Sequence, residues 1–426
     1  MEPMAASDAP ADEGPAPQLG RVLPLPPAPD GIELRHLRAF VAVAEELNFS
    51  RAADRLYLSQ PALSRQIRSL ERHVGCDLLR RSTHGVELTL AGDALLDRAR
   101  NLLHGVDDAV AATRAVGDEL AGRLARIWEP VTELHSTGAD LQALRNAAEA
   151  LQAQFSPPPE VAVHPVNAGG VPSFLVGTQA TTTGPTGPTP TILFFHGGGY
   201  VMGSAFGYRH LAGALALAAD ACAVVPEYRL APEYPFPAAV EDVLRTYLWM
   251  LDSGTPPGQV TLAGDSAGAG LALSLLVTLQ QEKLPLPGGS VLMCPGIDLT
   301  FDELDEAPRV TNEPQPALSL DQLRSFAESY IGGHPVDDPV LNPLRADLTG
   351  LPPMLVQGGT GDVIVVDAHR LAEHAGRCGV DVRLELYPVA THDFHIFWSF
   401  LPEAADALQQ AAGFIREVRD RQAAVS

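Results

Sequence analysis

At 426 residues the chain exceeds the ~100–200 residues of an ordinary domain, so two domains are expected. Hydrophobic residues make up 46% of it and charged residues 19%, a composition that can bury a large core and is unlike that of a disordered chain. A formal net charge of −23 argues against the whole chain being a general nucleic-acid binder, because phosphate contacts need clustered Lys and Arg. Cys76, Cys222, Cys294 and Cys378 stand far apart, with no C-x-x-C or Cys/His metal spacing, and read as thiols of a reducing compartment. No basic segment followed by an apolar core opens the chain, and no run of ~18 apolar residues occurs, so a cytoplasmic protein without a membrane span is expected.

Residues 1–31 are rich in Ala and Pro with scattered acids and are expected to form a disordered arm. Helical periodicity then begins. Leu37, Phe40, Val41, Ala44 and Leu47 recur three and four apart, and Ser50 is expected to cap a short second helix with Ala52, Ala53 and Leu56 inside. Ser59 caps a third helix, with Pro61 in its first turn, where a missing N–H costs nothing. Leu63, Ile67 and Leu70 face inward, which turns Gln60, Ser64, Arg65, Arg68 and Arg72 outward as a polar, basic surface. Two short helices in this arrangement have the geometry of a helix-turn-helix, and Arg and Gln suit phosphates and base edges.

Local charge agrees: residues 31–105 hold 11 Arg against 9 acidic residues, a net of +2, leaving −25 for the rest. Around Gly85, short alternating runs predict a small β-wing. A helix over 91–116 comes next, with Leu95, Ala99, Leu102, Val106 and Ala109 as a heptad seam that implies dimerisation.

The stretches Leu34-Arg35-His36-Leu37, Phe49-Ser50-Arg51-Ala52-Ala53, Ser59-Gln60-Pro61-Ala62-Leu63-Ser64-Arg65-Gln66-Ile67 and Leu88-Thr89-Leu90-Ala91-Gly92 resemble the DNA-binding domain of LysR-type transcriptional regulators. The resemblance covers roughly residues 32–118. It implies an all-α winged helix-turn-helix with a long linker helix, a homodimer through that helix, and double-stranded DNA as partner, contacted from Ser59, Gln60, Pro61, Ser64, Arg65 and Arg68. Such regulators normally continue into a two-lobed effector domain, and this chain does not. A plain three-helix bundle with a solvated arginine face would share part of the pattern, and so would a helix-turn-helix that no longer binds an operator.

Beyond residue 118 two helices, over about residues 119–156, are expected to cap the C-terminal domain. Leu124, Ile127, Trp128, Val131 and Leu134 mark the first, and Leu141, Leu144, Ala148 and Leu151 the second. Val161-Ala162-Val163 and Phe174-Leu175-Val176 read as strands, residues 181–190 as a flexible connection. Thr191-Ile192-Leu193-Phe194-Phe195 is a strand buried on both faces that runs into His196-Gly197-Gly198-Gly199. A second apolar run, residues 221–226, precedes Tyr228-Arg229-Leu230-Ala231-Pro232-Glu233. A third, residues 260–263, ends in Gly264-Asp265-Ser266-Ala267-Gly268 and is followed by a helical apolar stretch.

Strand, G-x-S-x-G, helix is the setting of a nucleophile elbow, in which small residues flank a serine on a sharp turn. Ser266 is then the nucleophile and the Ala267 amide one oxyanion donor, with the Gly198 and Gly199 amides as further donors, each worth ~2.7–4 kcal/mol in the transition state. A serine hydroxyl needs a base, and the base an orienting carboxylate, in the order Ser, acid, His after later strands. Residues 353–359 and 382–387 read as those strands, leaving Asp362 and His392 in the loops beyond them.

These stretches, together with Asn342-Pro343-Leu344, Leu351-Pro352-Pro353 and His392-Asp393-Phe394-His395, resemble the hormone-sensitive-lipase family of α/β-hydrolases over about residues 125–420. The resemblance implies an α/β-hydrolase fold, a mostly parallel sheet with helices on both faces and a helical cap, over residues 119–426. It implies hydrolysis of carboxylic esters of short or medium acyl chain without metal or organic cofactor, by Ser266 as nucleophile, His392 as base and Asp362 as its partner. The acid motif departs from the family's usual form, so Asp367 stays open as an alternative to Asp362. His395 is expected to pack, and Asp265 and Glu233 to order loops. Three functions fit: an ester-hydrolysing enzyme coupled to transcription, a regulator that uses the hydrolase domain only as a ligand sensor, or an esterase whose helix-turn-helix only dimerises it.

Overall fold

The computed structural model describes residues 31–82, 85–136, 140–183, 191–301 and 319–423; the expected N-terminal arm lies outside them. The chain divides into two units between Asp118 and Glu119. In the first, α1 (Leu34–Glu46), α2 (Phe49–Arg55) and α3 (Gln60–Val74) precede an antiparallel pair, β1 (Leu79–Ser82) and β2 (Gly85–Leu88). Leu37, Phe40, Val43, Leu63, Ile67 and Leu70 form its core, joined by Leu96 and Ala99 from the next helix. Ser59 caps α3 as expected, accepting from the Ala62 amide. The cap of α2 is Asn48 rather than Ser50: its Oδ1 accepts from the amides of Ser50 and Arg51, 2.9 and 3.1 Å away, which starts the helix at Phe49.

Helix α4 (Leu90–Ser136) runs past residue 116, where a break was expected, and takes in the first of the two predicted cap helices. A glycine such as Gly117 costs a helix interior about 1 kcal/mol, too little by itself to end a long helix. The second cap helix is α5 (Leu141–Gln152), capped by Asp140. Of the heptad seam, Ala99 is buried, Leu95 and Val106 are half-buried and Leu102 is exposed, while Ala109 lies outside the described side chains.

The second unit is built on an eight-stranded sheet. Its strands are β3 (Val161–Ala168), β4 (Val171–Thr178), β5 (Ile192–Phe195), β6 (Cys222–Pro226), β7 (Thr261–Asp265), β8 (Gly289–Met293), β9 (Met354–Gly359) and β10 (Val382–Tyr387), in the order β10-β9-β8-β7-β5-β6-β4-β3. β3, β4 and β6 pair antiparallel, and every pairing from β6 to β10 is parallel. The central strands are buried on both faces because helices cover both sides, among them α7 (Arg209–Ala218), α8 (Ala238–Asp252), α9 (Ala267–Gln281), α11 (Val365–Arg377) and α12 (Pro402–Ala423). α9, apolar on all sides, sits under the sheet's centre with nearly every residue buried.

Three local expectations change. Residues 179–183 form a short helix, α6 (Gln179–Thr183), so only residues 184–190 of the expected connection stay outside the described residues. Helix α10 (Leu320–Ile331), started by a capping box between Ser319 and Gln322, was not anticipated, and residues 302–318 before it lie outside the described ones. β8 was not anticipated. Among the described residues no helix is long and apolar enough to cross a membrane.

Candidate active site

β7 ends at Asp265 and α9 begins at Ala267, so Ser266 must reverse the chain alone. It does so at φ 54°, ψ −117°, a region that costs a non-glycine residue about 1–3 kcal/mol. The flanking glycines allow this crossing. A Cβ on Gly268 would stand 2.2 Å from the Phe195 carbonyl, and one on Gly264 2.3 Å from that of Gly268. The strained turn is held from below: the Ser266 amide donates to the Met293 carbonyl at 2.8 Å, and Gly296 N–H donates to Ser266 O at 3.2 Å.

His392 and Asp362 stand in the loops after β10 and β9, as expected, and converge on the serine. His392 Nε2 is 2.8 Å from Ser266 Oγ, and Nδ1 is 2.7 Å from Asp362 Oδ2. All three are buried. Asp367 is elsewhere: its Oδ2 accepts from the amides of Ile297 and Asp298 at 2.7 and 2.9 Å, and burial pushes its carboxyl up to about 7. His395 packs, as expected, beside Gln357 Oε1 and Cys294 Sγ, and burial lowers its ring to about 3. Burial also works against charge on His392, but the carboxylates of Asp362 and Asp393 outweigh it and hold that ring well above its ordinary value. Asp393, next in sequence, brings Oδ1 to 3.0 Å from His392 Nε2. Sequence reasoning assigned it no part; Asp is a residue that tolerates the left-handed turn it makes at φ 52°.

The loop after β5 forms the other wall. Gly198 has φ +116°, and a Cβ there would lie 2.2 Å from the Met202 carbonyl, so the backbone turns tightly with Gly198 and Gly199 both lining the pocket above Ser266. Ala267 opens α9, where first-turn amides lack intrahelical partners and carry the positive end of the helix dipole. Beneath the loop, His196 stacks on Tyr228 at 4.1 Å, and the Tyr228 hydroxyl donates to the His196 carbonyl at 2.7 Å. Trp128 and Val131 of α4, Leu151 of α5 and Phe326 of α10 give the pocket an apolar wall, in which Asp393 is a carboxylate among few polar groups. Arg145 of α5 fastens this wall: it donates to both Glu233 oxygens and to the Val201 and Ala231 carbonyls.

Asp265, Cys294 and His395 bring one donor atom each within 4.8 Å of one another, as do Cys294, Asp362 and His392. In each set the ring turns one nitrogen to a residue outside it, His395 Nε2 to Gln357 Oε1 and His392 Nε2 to Ser266 Oγ, and the other to a member of the set itself, Cys294 Sγ and Asp362 Oδ2. Chemically the arrangement suits acyl transfer: a hydroxyl within hydrogen-bond reach of a ring nitrogen, a carboxylate on the far side of that ring, and a glycine loop and a helix N-terminus beside the hydroxyl.

In the other unit, Ser59, Gln60, Pro61, Arg65 and Arg68 are exposed and Ser64 is half-buried. With Arg35 and Arg72, Arg65 and Arg68 line an open basic cleft on the outer side of α3.

Residues 192–396 match the family described as alpha/beta hydrolase fold, and residues 34–93 match bacterial regulatory helix-turn-helix proteins of the lysR family. An acetyl-hydrolase of Streptomyces hygroscopicus is 42% identical over 226 residues, covering 53% of this chain and 75% of the relative. An esterase of Acinetobacter venetianus is 33% identical over 273 residues, 64% of this chain and 88% of its own. Among solved structures, an esterase of the bacterial hormone-sensitive lipase family superposes with a TM-score of 0.62 at 32% identity, over 69% of this chain and 97% of that one.

Proposed function

Since the chain belongs to the hormone-sensitive-lipase family of α/β-hydrolase esterases and carries a LysR-family helix-turn-helix, we propose that Ser266, His392 and Asp362 perform its ester hydrolysis through an acyl-enzyme. The observation that carries this is the unbroken line of hydrogen bonds from Ser266 Oγ through the His392 ring to Asp362. His392 Nε2 takes the hydroxyl proton as Ser266 Oγ attacks the ester carbonyl. The amides of Gly198, Gly199 and Ala267 receive the negative charge on the carbonyl oxygen. Nε2 then delivers the proton to the departing alcohol, and water repeats the sequence on the acyl-serine. Asp362 keeps the Nδ1–H in place, so that Nε2 always presents its lone pair to the serine.

The bulky Trp128 and Phe326 in the pocket wall favour short to medium acyl groups. Purified protein should hydrolyse short-chain p-nitrophenyl esters in preference to long ones, and Ser266→Ala should abolish the reaction. A wild-type protein inert towards a broad ester panel sinks the assignment.

The helix-turn-helix, in this reading, binds double-stranded DNA in the cytoplasm through α3, as a homodimer whose seam includes the exposed Leu102. An ester that binds the hydrolase pocket changes DNA affinity. The intact site favours turnover over a sensor without catalysis. Gel shifts with the upstream DNA of its own gene, at several salt concentrations and with or without ester, test the regulatory part; absent or salt-insensitive binding counts against it.

A further inference from the structure

His392 has Asp362 as its carboxylate partner on Nδ1, yet a second carboxylate stands against the nitrogen that does the chemistry. Asp393 Oδ1 lies 3.0 Å from His392 Nε2, on a side chain 6% exposed that lines the same pocket as Ser266. The approach lacks hydrogen-bond geometry, and this oxygen has no other hydrogen-bond partner. The resting arrangement explains why: Nε2 points its lone pair at the Ser266 hydroxyl, 2.8 Å away, and offers the neighbouring carboxylate no proton. Once Nε2 is protonated, the same oxygen faces an N–H and a positive charge. The contact changes from unfavourable to favourable during the proton transfer itself, which is the condition for an interaction to accelerate a step.

We propose that Asp393 is a positioning residue of the esterase site, held by its left-handed turn against Nε2 so that it stabilises His392 as the imidazolium formed when the Ser266 proton is transferred. The proposal rests on the reading of Ser266 and His392 as nucleophile and base. Asp393 itself takes no proton; that proton moves from Ser266 Oγ to Nε2 and on to the leaving alcohol.

The other groups around the ring are held against ionisation. Burial holds the Asp265 carboxyl at the end of β7, the Cys294 thiol after β8 and the Tyr208 phenol ahead of α7 well above their ordinary values, which disfavours charge on each. Burial lowers His395, one turn further on, to about 3, which disfavours the charged ring there as well. Asp362 and Asp393 remain as the groups acting on the ring from its two nitrogens.

The test is a pair of pH titrations on the full chain. For kcat/KM towards a short p-nitrophenyl ester, Asp393→Asn should move the acid limb down by about one to three pH units, the effect of removing an opposite charge at this range, and lower the plateau. Ring titration of His392 by 1H–15N NMR should show the same downward move without requiring turnover. Asp393→Gly, which keeps the left-handed backbone, serves if the Asn variant does not fold. A limb and a ring titration that stay where they are in wild type overturn the proposal. If no ester is hydrolysed at all, the catalytic reading fails, and the NMR titration still decides what Asp393 does.

Discussion

Replacing Asp362 by Asn separates the two acids that sequence reasoning left open. The Asp362 carboxylate accepts from His392 Nδ1 at 2.7 Å, and the two side chains are 0% and 1% exposed, so no water can take over the contact. An amide in that place can donate to Nδ1, which moves the ring proton to Nε2 and turns the base away from Ser266. Loss of the working tautomer in a triad of this kind lowers kcat by roughly 10⁴, equivalent to about 5.5 kcal/mol of barrier. Asp367→Asn keeps an oxygen for the Ile297 and Asp298 amides and touches neither ring nor serine, so its kcat should stay within a few-fold of wild type. Steady-state hydrolysis of a p-nitrophenyl ester at pH 8, with folding checked by circular dichroism, measures both. An Asp362→Asn enzyme within about tenfold of wild type, or a folded Asp367→Asn enzyme with the large loss, would refute the assignment.

Three further outcomes are expected. Asp367, at about 7 when folded against 3.8 unfolded, contributes stability that is complete below pH 3.8 and lost as pH rises to 7. The stability of Asp367→Asn relative to wild type should therefore grow between pH 4 and 7, and urea unfolding that shows a constant difference contradicts the charge argument. Arg145→Ala should lower stability by about 1–3 kcal/mol, chiefly through the Val201 and Ala231 carbonyls, since half-exposed Glu233 leaves its ion pair screened; KM should rise as α5 loosens, and an unchanged KM and midpoint would count against that role. Arg68→Ala should weaken DNA binding evenly across sequences and reduce the slope of log K against log salt by about 1; a change confined to one base position would identify a base contact instead.

Much of the site could be read from the residues because its parts depend on local chemistry. An apolar run into Gly-Asp-Ser-Ala-Gly forces a sharp turn, and consecutive glycines after His196 permit a tight loop, wherever the chain goes next. Strand β8 escaped notice because a five-residue run containing Gly and Ser has little apolar signal of its own and gains its place from neighbours on both sides. The continuation of α4 past residue 116 was missed because the apolar spacing of residues 91–116 and that of residues 119–136 read as two separate helical faces, although the backbone between them stays helical. Asp393 escaped for a different reason: its importance comes from one backbone angle that folds it back onto the preceding ring, and periodicity carries no trace of that.

The conformation of Ser266 has a consequence for how this chain can vary. At φ 54° glycine is at ease and serine is not, so Ser266→Gly relieves strain while it removes the reacting oxygen. Random change at this residue thus meets a conflict in which the fold gains by drifting to glycine and the chemistry forbids it. Lineages that retain serine here do so against the preference of their own backbone.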